Sequence, residues 1–207
     1  MNRFLIIIIL VIYSLSAIAQ EFTGGLSGGI SATQIDGESQ SGYNKLGFIF
    51  GGFVKRKFGE KLGAQFEIKY FDKGSHKPPH HDVGDYTTWT IKLRYIDMPF
   101  MASYTLKDIY TFQAGVSVDY LLHFAYNDGN GNMDNSYVPY RKFDYSAVAG
   151  FSYKISDRLS ASVRYSYSMI SVLKKHLTLN SSNWFYNNMF IKGHFNNDLG
   201  FTIDFRL

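Results

Sequence analysis

The chain has 207 residues, no cysteine, 17% aromatic and 18% charged residues, and a formal net charge of +4. Without cysteine there are no disulfides and no thiolate metal sites. The small positive charge, with no basic run beyond Lys55-Arg56-Lys57 and Lys174-Lys175, offers no footprint for nucleic acid.

The N-terminus reads as an export signal. Asn2 and Arg3 give a short positive start, residues 4–15 an apolar run, and Ala17-Ile18-Ala19 a small-residue cleavage pattern. The expected cut lies between Ala19 and Gln20, so residues 1–19 are a cleaved signal and 20–207 form one domain. The apolar run is shorter than the roughly 20 residues of a comfortable helical span. No later stretch is apolar enough for one. If the chain crosses a membrane it does so as a closed barrel, because an open sheet leaves backbone groups unpaired in lipid.

Eight strands follow. The first, 22–34, alternates strictly: Phe22, Leu26, Ile30 and Ala32 on one face, Thr23, Ser27, Ser31 and Thr33 on the other. The second, 45–57, alternates weakly, because Ile49 and Phe53 share a face with Gly47 and Gly51. The third, 62–73, sets Leu62, Ala64, Phe66, Ile68 and Tyr70 against Gly63, Gln65, Glu67 and Lys69. The fourth, 89–104, changes phase. Trp89, Ile91, Leu93 and Tyr95 hold one parity, and Ile96, Met98, Phe100, Ala102 and Tyr104 the other. A β-bulge near Tyr95 would reconcile them, and Pro99, lacking an N–H, adds irregularity.

The fifth strand, 109–126, sends Phe112 through Phe124 outward at even positions and Gln113, Ser117, Asp119 and His123 inward. The sixth, 142–155, has Phe143, Tyr145, Ala147, Ala149, Phe151 and Tyr153 out. The seventh, 159–171, opposes Leu159, Val163, Tyr165 and Tyr167 to Ser160, Ser162, Arg164, Ser166 and Ser168. The eighth ends the chain, with Leu199, Phe201, Ile203 and Phe205 out and Gly200, Thr202, Asp204 and Arg206 in.

The connections alternate long and short, and the second face is polar. A soluble barrel puts its apolar face inside. A membrane barrel turns that face to lipid and has short turns at one end and long loops at the other. The fold expected is an all-β, eight-stranded antiparallel up-and-down transmembrane barrel, with both termini periplasmic and long loops extracellular. Such a barrel is just wide enough for side chains to fill. Glu67, Lys69, Asp97, Asp119, Asp144, Arg164, Asp204 and Arg206 are the candidate polar network of the lumen. Buried charges need partners, and Asp97 is expected to pair with Arg164 or Arg94.

The loops carry weaker signals. His76, His80 and His81, with Asp82 and Asp85, are metal-ligand types but match no fixed spacing. His123 and Asp119 recur four apart without a nucleophile motif. The Asn- and Gly-rich stretch from Asn127 lacks a glutamate at its twelfth position, Val138, so it is not an EF-hand. Tyr137, Tyr140, Trp184, Phe185 and Tyr186 are expected as exposed loop aromatics of the kind enriched at binding surfaces. No catalytic residue, cofactor or metal is expected.

Several segments resemble the PorT-like outer-membrane β-barrel family of Bacteroidota. Tyr95-Ile96-Asp97-Met98-Pro99-Phe100-Met101 is similar to its Tyr-Leu-Glu-Ile-Pro-Leu-Leu strand, with aspartate at 97 in place of glutamate. Gly24-Gly25-Leu26-Ser27-Gly28-Gly29 resembles its first strand, Phe143-Asp144-Tyr145 with Ala149-Gly150-Phe151-Ser152-Tyr153 its sixth, and Arg164-Tyr165-Ser166-Tyr167 its seventh. The chain ends in Leu207 where such barrels end in an aromatic, and Phe205 stands two positions earlier. The resemblance implies the fold, the outer membrane and, through the founding type, an association with type IX secretion. The function expected is structural or interactive, with a side-chain-filled lumen. The alternative is a narrow nonspecific porin, and an outer-membrane enzyme stands behind both. Expected partners are outer-membrane lipid and lipopolysaccharide, the barrel-assembly machinery, and a secretion or envelope protein, with no nucleic acid.

Overall fold

A computed structural model describes residues 22–37, 42–79, 81–127, 140–174 and 193–207. The signal and its cleavage site at Ala19 and Gln20 lie outside these residues, as do the Asn- and Gly-rich stretch beyond Asn127 and the aromatics Tyr137, Trp184, Phe185 and Tyr186.

Period-two alternation produces eight strands: β1 (Phe22–Asp36), β2 (Lys45–Phe58), β3 (Leu62–Lys77), β4 (Trp89–Leu106), β5 (Tyr110–Asn127), β6 (Phe143–Lys154), β7 (Leu159–Ser168) and β8 (Phe195–Arg206). They close into one barrel in chain order, and β1 pairs antiparallel with both β2 and β8. Closure leaves no unpaired edge. The short turns are three residues each at 59–61 and 107–109 and four at 155–158. Lys107 and Asp108 both take positive φ, 53° and 55°, which makes their hairpin a type I′ turn matched to the strand twist.

The outer surface is apolar. Leu26, Ile30, Phe48, Ile68, Val116 and Ile203 all stand exposed on it. Aromatic pairs flank this band. Tyr110 and Phe112 pack on Phe151 near the short turns, and Tyr120 meets Phe143 while Tyr167 meets Phe195 toward the long-loop end. So large an exposed apolar surface is a lipid-facing one.

Three sequence expectations are corrected. First, β3 runs to Lys77, so His76 belongs to a strand and the loop starts at Pro78. Second, the irregularity near Tyr95 lies on the partner strand. β4 keeps its odd residues inward from Ile91 to Met101, while the β4–β5 register jumps from Arg94↔His123 to Tyr95↔Leu121. Leu122 is the extra residue. Past it Phe124 turns inward and His123 outward, the reverse of simple alternation. What looked like a change of phase in β4 is a change of chemistry on one face, apolar above and polar below. Third, Tyr140 is buried and packs into that apolar region. Pro99 does interrupt the β3–β4 ladder, between Phe66↔Phe100 and Lys69↔Asp97.

Glycine decides where bulky groups enter the lumen. A Cβ at Gly25 would collide with the ring of Phe53, and one at Gly200 would meet Ile49 Cδ1 at 2.9 Å. The weak alternation of β2 is thus two large inward side chains seated against glycines, Phe53 on Gly25 of the adjacent β1 and Ile49 on Gly200 of β8, one strand further round.

Candidate functional site: the barrel lumen

The lumen has three tiers. The uppermost, at the long-loop end, is apolar. Ile35 of β1, Ile91, Leu93 and Tyr95 of β4, and Leu121 and Phe124 of β5 form one buried cluster with Tyr140 and Val172. Below it, β1 reaches across the end of β2 to β3. Ser31 Oγ donates to the Asp72 carbonyl at 3.2 Å and Thr33 Oγ1 to the Gly74 carbonyl at 2.9 Å. The β2–β3 ladder itself stops at Ile49↔Phe71.

The middle tier is ionic and buried. Lys73, fully buried, stands between Asp119 of β5 at 2.8 Å and Asp198 of β8 at 2.9 Å. Its ammonium also lies 4.8 Å from the Phe71 ring centre and 5.5 Å from that of Tyr95. Lys69 bridges Glu67 at 2.8 Å and Asp97 at 3.3 Å. Arg164 Nη1 donates to Glu67 at 2.5 Å and Nη2 to Gln113 at 3.3 Å. Gln113 donates to Gln65, which in turn donates to Glu67. Ser117 Oγ lies 2.7 Å from Asp97 Oδ1 and 2.5 Å from Asp119 Oδ1. Asp97 and Asp119 are cross-strand neighbours, and the one hydroxyl proton of Ser117 serves only one of those contacts at a time.

Among the described residues Asp144 and Asp204 form no ion pair and are held by neutral donors. Asp144 accepts from Ser168 at 2.8 Å and from Asn196 at 2.8 Å. Asp204 accepts from Ser27 at 2.7 Å, Ser162 at 2.5 Å and Thr202 at 3.3 Å. A cavity of about 20 Å³ beside Lys69, Asp97, Arg164 and Asp198 has room for one water molecule.

Of the eight residues singled out in sequence, seven are buried in the lumen: Glu67, Lys69, Asp97, Asp119, Asp144, Arg164 and Asp204. Arg206 differs. It is exposed at the end of β8, on the rim of the lowest tier. The pairing expected for Asp97 is corrected as well. Its cation is Lys69, Arg164 goes to Glu67, and Arg94 points outward on β4. Lys73 ends the third strand as read from sequence but is not singled out there, and Asp198 and Asn196 precede the first residue assigned there to the eighth. Parity continued from Lys69 to Lys73, and back from Gly200 to Asp198 and Asn196, puts all three inside.

The lowest tier is an open vestibule of about 380 Å³ at the short-turn end. Its lining includes Lys55, Lys57, Lys154, Arg158 and Arg206, with hydroxyls from Thr23, Ser103, Thr111 and Ser160.

The two described histidines of this group, His76 and His81, have separate partners. His76 Nδ1 is 2.8 Å from Thr90 Oγ1, His81 packs edge-on to Tyr86, and His80 lies outside the described residues. Among the described residues no three His, Asp or Glu side chains gather to hold a metal. Asp85 instead binds Lys77 at 2.6 Å, and that hydrogen bond, then those from Thr87, holds its carboxyl well below the usual carboxylate range. The His123–Asp119 pairing also fails, since the bulge turns His123 away from the lumen.

An eight-stranded barrel with an apolar exterior, aromatic flanks and a charged interior defines the class of outer-membrane barrels. Residues 17–174 match the family described as the outer membrane protein beta-barrel domain, and the chain belongs to that family. It resides in the outer membrane. No curated protein matches the chain. Among solved structures it is similar to Ail, the attachment invasion locus protein of Yersinia pestis, at 10% identity and a TM-score of 0.51, covering 90% of this chain and 99% of that one. It is also similar to Neisserial surface protein A at 11% identity and a TM-score of 0.50, covering 90% and 97%. These likenesses concern the fold.

Proposed function

We propose that the protein is a monomeric outer-membrane barrel that works through its surface, as a structural or interaction component, and not through its lumen. The observation that carries this is the double closure of the tube. The Lys73 network blocks its middle, and the cluster around Leu93 and Tyr95 blocks the long-loop end. Short turns and termini face the periplasm and the long loops face outward, as in other barrels of this class. Its partners are outer-membrane lipid and lipopolysaccharide, the assembly machinery during biogenesis, and an envelope protein contacted by the loops. The mature chain starts at Gln20. Association with secretion rests on the PorT-like sequence segments alone.

The test is electrical and biochemical. Folded protein in planar bilayers is expected to show no steady conductance. A stable ohmic current would replace this reading with the narrow porin, which the open vestibule favours from one side only. Mild-detergent extraction followed by native sizing then separates a lone barrel from a stable complex. The enzyme reading has no assembled nucleophile, base and orienting acid among the described residues to support it.

A further inference from the structure

Among the described residues the deep lumenal cations have carboxylate partners. Lys69 and Arg164 share Glu67, Lys73 has two aspartates, and Lys45 binds Asp72 at 2.9 Å. The vestibule breaks this pattern. Lys55 lies on the inward parity of β2, partly buried, with its ammonium 4.6 Å from the Phe53 ring centre. Among the described residues no carboxylate forms an ion pair with Lys55, Lys57 or Arg206. The balance of the lining is still positive. Asp204 accepts three hydroxyl hydrogen bonds but still attracts Lys55 through space, and Asp157 is held by Lys154 at 2.7 Å. With Asp108 these three carboxylates face six cations, Lys55, Arg56, Lys57, Lys154, Arg158 and Arg206.

An excess of cations over carboxylates in a concave, half-enclosed space creates a focused positive potential. Hydroxyls of Thr23, Thr111 and Ser160 share the lining and supply neutral donors. The space is about 380 Å³, the size of a small-molecule site. Ammonium and guanidinium donors beside hydroxyls suit a phosphate group, which takes several charge-assisted hydrogen bonds at once. A simple carboxylate offers fewer acceptors.

We propose that the short-turn vestibule is a binding site for a phosphate or phosphate-ester anion, held by Lys55 and Arg206 with the lining hydroxyls. The site rests on the barrel's geometry and not on which end faces the periplasm, so it stands or falls apart from the functional reading above. The anion can come from a soluble phosphate ester or from a phospholipid headgroup at the rim.

The test uses the folded full-length barrel in zwitterionic nanodiscs, titrated with inorganic phosphate and with glycerol 3-phosphate. Amide shifts are followed at Thr111 and Ser160. Saturable shifts are expected at millimolar or lower concentration. They should weaken about tenfold or more in Lys55→Gln/Arg206→Gln, the scale of a lost charge-assisted hydrogen bond. Arg94→Gln, on the outer face, should leave them unchanged. If the double variant does not fold, each single variant is read in its place. Nanodiscs containing phosphatidylglycerol identify the source. Shifts already present before titration mean a headgroup occupies the site, and unchanged titration means a soluble ligand. Absence of saturable shifts in both lipids, or equal shifts in wild type and variants, overturns the proposal.

Discussion

The two ends of the lumen are built from opposite materials. At the long-loop end the inward faces of β4 and β5 carry Ile91, Leu93, Tyr95, Leu121 and Phe124, and the tube is filled. At the short-turn end the inward positions carry lysine, arginine and hydroxyls, and the tube is open. The ionic tier between them belongs to the closed end, because its cations are neutralised by carboxylates at hydrogen-bond distance. A lumenal charge therefore contributes structure where it is paired and buried, and is available to a ligand where it lines an open space without an ion-pair partner.

The largest effect expected comes from removing the central cation. Lys73→Met leaves Asp119 and Asp198 buried without their ammonium, which costs about 3–5 kcal/mol. Urea unfolding, followed by the mobility of the folded barrel on gels, measures it. Adding Asp119→Asn and Asp198→Asn should restore most of the loss, because the uncompensated charge goes with them. A Lys73→Met barrel as stable as wild type would show that the closed end does not depend on its ion pairs. Next in size is Leu93→Ala, a large-to-small change in the apolar tier, at about 3 kcal/mol. Neither change alone is expected to give a current, since each leaves the other barrier in place. Both together should. A conducting single variant would make one tier the whole seal.

Much of this was legible in the sequence, because period-two alternation reports strand existence, face and connection length directly. β1, β6 and β8 follow it without exception below the loops. The upper lumen was hidden for a physical reason. Alternation distinguishes the two faces only when their chemistries differ, and Ile91, Leu93 and Tyr95 put apolar residues on the inward face. Leu122 made it worse, since one inserted residue reverses every later assignment on its strand. Pair partners were hidden as well. Asp97 meets Lys69 through the β3–β4 register, which no local pattern encodes.

At the open end the type I′ turn offers a smaller effect of opposite sign. Lys107 and Asp108 sit at left-handed φ that L residues adopt at a cost of roughly 1 kcal/mol each. Asn-Gly is the dipeptide such turns prefer. Lys107→Asn/Asp108→Gly should therefore raise the unfolding free energy by about 1 kcal/mol without altering either tier of the closed end. Equal or lower stability in the same urea titration would mean that the turn is relaxed by contacts other than its own dihedrals.

The smallest effect is local and lies outside the barrel, in the β3–β4 loop. Asp85 accepts from Lys77 Nζ at 2.6 Å, from the Thr87 amide at 2.9 Å and from the Thr87 hydroxyl at 2.6 Å. Those bonds favour the ionised carboxyl, so its pKa is lower folded than unfolded. The sign follows from linkage: its contribution is present above the ordinary carboxylate pKa and is lost as pH falls toward the depressed folded value. The Thr87 amide should accordingly keep its hydrogen-exchange protection through the pH range where ordinary aspartates protonate, and lose it in Asp85→Asn at every pH. Because Asp85 is reached by solvent and screened, barrel unfolding should not move with it. If Asp85→Asn also lowers barrel stability, this loop braces the closed end, and the seal extends beyond the lumen.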